Sequence, residues 1–72
     1  MNNTKLLEKK IKESGKKISF LADKVGLSYA GFRNCVLNKA EFKASQIETL
    51  CSELNITSLK ERQEIFFATN GA

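Results

Sequence analysis

The sequence holds little that could make or break a covalent bond. It has no histidine, and its two cysteines, Cys35 and Cys51, show neither a CxxC nor a Cys/His ligand spacing. Each cysteine falls where an apolar helix face needs a small residue, and a free thiol packs as a small hydrophobe. Two reduced core thiols are the expected state, with a disulfide between them left open. Without a metal-ligand cluster, a nucleophile motif or room for a buried pocket, the chain reads as a non-enzyme that needs no metal, cofactor or small-molecule ligand. Its chemistry is that of recognition. The groups able to do it are the guanidinium of Arg33, the carboxamides of Asn34 and Asn38, the hydroxyls of Ser28 and Tyr29, and lysine ammoniums at 16, 17, 39 and 43.

One small domain must hold these groups, because 72 residues with 42% hydrophobic content cannot build two cores. The net charge of +4 is uneven: +4 over residues 1–17, +2 over 18–43 and −2 over 44–72. A basic surface attracts phosphate backbones and releases their counterions. Lysine-rich faces equally keep a small helix in solution, so charge alone leaves nucleic acid open. No apolar run nears the roughly 20 residues of a membrane span. Met1 to Lys5 lead into a charged amphipathic stretch instead of a signal-peptide core, so a cytoplasmic protein with no membrane partner is expected.

The periodicity is helical almost throughout, with no proline, low-complexity tract or repeat, and predicts an all-α fold. A first helix begins after Asn3 or Thr4, buries Leu7 and Ile11 with help from Leu6, and stops at Gly15. A short second helix over Ile18 to Val25 sets Ile18, Leu21, Ala22 and Val25 on one face and ends at Gly26. Leu27 turns inward, and Ser28 caps a third helix, Tyr29 to Leu37, with Phe32, Cys35 and Val36 inside. Ser45-x-x-Glu48 and Ser58-x-x-Glu61 both fit the capping box, in which serine and glutamate satisfy each other's free amides. The fourth helix then buries Ile47, Leu50, Cys51 and Leu54 and ends at Asn55, with Ile56 anchoring the connection. The fifth covers Leu59 to Ala68 with Leu59, Ile65, Phe66 and Phe67 as its apolar content, and residues 69–72 fray.

Within Ile18 to Leu37, two short helices joined by a turn at Gly26, Leu27 and Ser28 form a specific packing unit. Ala22 lies where the helices cross most closely and must be small, while Gly26 relieves the positive φ of the turn. Leu21, Val25, Leu27, Phe32 and Cys35 fill the wedge. Any of these could be ordinary core, but alanine, glycine four residues on and an apolar residue six further, in phase with two helices, resemble a helix-turn-helix.

The stretch LADKVGLSYAGFRNCVLN is similar to the motif of the Cro/repressor-type (XRE-like) helix-turn-helix family of phages and bacteria. The loop Asn38 to Ala44 and the segment ASQIETLCSELNI also resemble that family. RQEIFFA and EFKAS look like small phage or mobile-element regulators of Gram-positive bacteria. The resemblance implies a compact five-helix, lambda-repressor-like domain that binds double-stranded operator DNA in the major groove, commonly as a homodimer on a palindrome. Many members open the second helix with a glutamine that touches phosphate. Here that position is Ile18, so the contact would pass to Lys16, Lys17 or the exposed amides. Gly31 costs the third helix up to about 1 kcal/mol relative to alanine, which either a close approach or simple tolerance would explain.

On this resemblance the outward positions of the third helix, Ser28, Tyr29, Ala30, Arg33 and Asn34, read bases, with Asn38 at the far end on the backbone. Arg33 would hold guanine O6 and N7, Asn34 adenine N6 and N7, and Ala30 the thymine methyl. Arg33 as a phosphate contact or a partner of Asp23, and Asn34 as a solvated residue, stay open. Lys39 and Lys43 would meet the next phosphates, with Phe42 between them as core plug or DNA wedge. Of Phe66 and Phe67, one faces the core and the other joins Ile65 in a dimer contact, unless a monomer buries both. The function expected is a transcriptional regulator that occludes a promoter. The alternatives are an accessory factor for excision or replication of a mobile element, or a protein-interaction module that has lost DNA binding.

Overall fold

Five helices make up the regular structure of residues 1–67, which are the residues that the computed structural model of this chain describes. They are α1 (Thr4–Ser14), α2 (Ile18–Lys24), α3 (Tyr29–Val36), α4 (Ala44–Glu53) and α5 (Leu59–Phe66), and no strand occurs among the described residues. The expected ends at Ala68 and the frayed residues 69–72 lie outside the described part.

Short polar side chains start three of the helices. The Asn3 side chain accepts from the Leu6 N–H, Ser28 Oγ from Gly31 at 3.0 Å, and Ser58 Oγ from Glu61 at 3.3 Å. Each bond occupies one of the amides that a first turn leaves free. The box expected at Ser58 is half made, because the Glu61 carboxylate turns to the Lys10 ammonium, 2.7 Å away.

The box expected at Ser45 does not form. The N-cap falls two residues earlier, at Lys43, whose N–H donates to Gln46 Oε1 at 2.8 Å, while the lysine side chain offers no acceptor to return the bond. Ser45 therefore sits inside the helix instead of capping it. At the other ends, Gly26, Asn38 and Asn55 take positive φ (74°, 64° and 57°) and close α2, α3 and α4 with paired main-chain bonds back into the last turn.

The apolar faces converge on one core. α2 packs chiefly on α3, α1 on α5 and α3, and α2 also on α4. Phe32, Phe42 and Phe66 form an edge-to-face series, with ring centroids 5.6 Å and 6.3 Å apart. Phe42 is thus a core plug and not a wedge. Cys35 and Cys51 are buried, free thiols, and burial pushes both up from the ordinary thiol range.

Two expectations for α5 are corrected. Leu59 is 72% exposed and adds nothing to the core. Ile65 and Phe66 are both fully enclosed although they are adjacent on this short helix: the Phe66 ring meets Phe42 edge-to-face, and the Ile65 carbonyl also ties the helix to the start of the chain by accepting the Asn3 N–H at 2.7 Å. No helix among the described residues is long and apolar enough to cross a membrane.

Candidate nucleic-acid interface

The α2–α3 pair is held by its turn. Val25 caps α2, Gly26 turns left-handed, and the Leu27 N–H returns to the Ala22 carbonyl at 2.9 Å while the Gly26 N–H reaches Asp23. The chain is thereby redirected within a few residues, and α3 starts immediately at the Ser28 cap. Ala22, 2% exposed, has no room to grow, and Ile18 and Leu27 pack half-buried against the core. Gln46 then ties the turn to α4, donating from Nε2 to the Val25 carbonyl at 3.2 Å. In the sequence this glutamine is masked by Ser45-x-x-Glu48, which reads as the start of the helix.

With about 100° per residue, α3 divides cleanly. Phe32, Cys35 and Val36 point inward and are buried, which leaves Ala30, Arg33 and Asn34 on the outer arc, with Tyr29 at the start of the helix beside it. Tyr29 is 59% exposed, Ala30 and Asn34 are exposed and Arg33 is half-buried. Arg33 makes no ion pair with Asp23, nor with any other described residue. Ser28 belongs to this surface, but its oxygen already accepts the Gly31 amide, which leaves its hydroxyl proton and one lone pair for other partners. The same cap accounts for Gly31: a Cβ there would stand 3.1 Å from Ser28 Oγ.

The lysines divide as well. Lys17 caps α2 from an exposed position, Lys39 follows α3 and Lys43 opens α4, all exposed. Lys16 is not available as a phosphate contact, because its ammonium donates to the Glu53 carbonyl at 2.7 Å and the Glu53 carboxylate at 2.9 Å. That hydrogen bond holds the Glu53 carboxyl below its usual range. Asn38 is likewise spent internally, on Asn2. The exposed Phe20 ring on α2 has the Lys24 ammonium 5.3 Å and the Lys16 ammonium 5.8 Å from its centre, a cluster that no periodicity singled out.

Of the three residues expected at a dimer contact, Ile65 and Phe66 are core and cannot reach a partner, whereas Phe67 is 54% exposed. Comparison with models of protein families, with curated proteins and with solved structures finds no match for this chain.

Proposed function

We propose that this chain is a sequence-specific, double-stranded DNA-binding regulator of Cro/repressor type, in which α2 and α3 act as a helix-turn-helix and α3 enters the major groove. The observation that carries the reading is the outer arc of α3. Ala30, Arg33 and Asn34 are left unspent by the fold, away from a fully buried inner face, with exposed Tyr29 at the helix start and exposed Lys17, Lys39 and Lys43 at the neighbouring helix ends. A guanidinium and a carboxamide one position apart suit base edges, and the lysines suit phosphate. Occupying an operator would then block a promoter without a cofactor. A homodimer on a palindrome would set two copies of α3 about one DNA turn, near 34 Å, apart.

The spent Lys16 and the apolar Ile18 remove two contacts from the start of α2 and favour, as a second reading, an interaction module without DNA. Selection of bound duplexes from random sequence separates the readings. A palindromic consensus supports the regulator, a lone half-site an accessory DNA factor, and no enrichment the interaction module. On the selected site, Arg33→Ala is expected to cost about 1–3 kcal/mol and to relax preference at one base pair. An equal loss on random DNA would make Arg33 a phosphate contact.

A further inference from the structure

Asn38 ends α3 with φ 64°, a conformation that glycine adopts freely, as Gly15 and Gly26 do in the same fold. What asparagine adds is its carboxamide. Nδ2 donates to the Asn2 carbonyl at 2.9 Å and Oδ1 accepts the Asn2 N–H at 2.8 Å, so one planar side chain holds both main-chain groups of residue 2. The N-terminal segment answers in kind. Asn2, 8% exposed, donates from Nδ2 to the Cys35 carbonyl at 2.7 Å, and the Thr4 hydroxyl donates to the Val36 carbonyl at 2.9 Å. The closing carbonyls of α3 are thus all bonded: Arg33 and Asn34 by Leu37 and Lys39 within the turn, Cys35 by both the Asn38 N–H and the Asn2 side chain, and Val36 by Thr4.

Asn55 provides the internal contrast. It ends α4 with φ 57° and the same main-chain pattern, yet its carboxamide bonds to none of the described residues. The clamp at Asn38 is therefore additional to what a helix end needs. It stands directly before Lys39, on the connection that carries Lys39 and Lys43.

Resting on the DNA-binding reading, we propose that Asn38 is a positioning residue of the interface. Anchored on Asn2, it fixes the direction in which the chain leaves α3 and holds Lys39 against the phosphate backbone, without touching DNA itself. With the connection loosened, Lys39 is no longer held at the phosphate and its counterion release is lost.

Asn38→Gly keeps the left-handed turn and removes only the clamp, and Asn55→Gly is the matched control. Affinity for the wild-type-selected duplex is measured over a series of salt concentrations, at a temperature where every variant is folded. The expected result for Asn38→Gly is roughly fivefold weaker binding near 0.15 M salt, with a salt slope shallower by about one unit, the signature of one lost phosphate contact. Asn55→Gly should match wild type, and adding Lys39→Ala to Asn38→Gly should cost nothing more.

Unchanged affinity and slope in Asn38→Gly overturn the proposal, as does weaker binding with an undiminished slope or with an additive Lys39→Ala loss. Wild-type protein that binds no duplex overturns the DNA reading and this proposal with it. Amide exchange at Lys39 and Ala40 tells the two failures apart, since exchange quickened by Asn38→Gly and not by Asn55→Gly shows that the clamp orders the connection even where the DNA reading fails.

Discussion

The two ends of α3 are closed to different depths. Its start is closed only locally, by a serine three residues from the amide it accepts, whereas its finish adds to the local bonds of the Asn38 turn a second closure, by asparagine and threonine side chains from the far end of the chain. A local cap is a property of a few neighbouring residues. A distant one exists only when α1 has docked, so the orientation of the α3 exit is a property of the whole domain. The exposed arc of α3 is thus rigidly started and globally finished.

The largest effect should come from removing what both ends share. Phe32→Ala, at a fully buried site, is expected to cost about 3–5 kcal/mol, and urea denaturation should show both ends opening in a single transition. A second transition would mean that the ends are independent. Asn2→Ala removes a bond to a buried carbonyl and should cost about 1–1.5 kcal/mol. It should also quicken amide exchange at the start of α1 and the end of α3 together. Ser28→Ala should cost about 0.5–1 kcal/mol, with faster exchange confined to the first turn of α3. If the two variants loosen the same residues, the contrast between local and distant closure is wrong.

The smallest effect concerns a distant tie made at the surface, Lys16 to Glu53. The Glu53 carboxyl is held below its usual range by the lysine hydrogen bond, so the pair's contribution is complete above the ordinary carboxyl range and is lost as pH falls through the lowered value. Glu53→Gln should leave a shallower decline of melting temperature on acidification, and an unaltered decline would show that the pair contributes nothing to the fold.

How far the sequence could be read follows the same division. Asn3, Ser28 and Ser58 announce helix starts because their partners lie within three residues, and i, i+3, i+4 spacing exposes the buried faces of α1 to α4. Ala22, Gly26 and Phe32 are legible as a packing unit for the same reason. Asn2 on Asn38, Gln46 on Val25, Lys10 on Glu61 and Lys16 on Glu53 join residues that only the folded chain brings together. No local pattern marks them. At Ser45 two overlapping patterns competed, and the glutamine at 46 prevailed because its carboxamide can reach the free amide of Lys43. On α5, two adjacent apolar residues are both enclosed, which periodicity on a single face cannot foresee. At the candidate interface the residue types on the α3 arc were readable. The internal bonds of Lys16 and Asn38 were not readable, because their partners lie in other elements.

The bonds from residues 2 and 4 to the end of α3 also bear on the order of events when the chain folds. They span more than thirty residues and cannot form until the helices between them have assembled. Their absence from the transition state would make Asn2→Ala accelerate unfolding while leaving the refolding rate unchanged. In stopped-flow measurements the unfolding arm of the chevron would shift alone, and a shift of the refolding arm would instead place this closure in the folding nucleus.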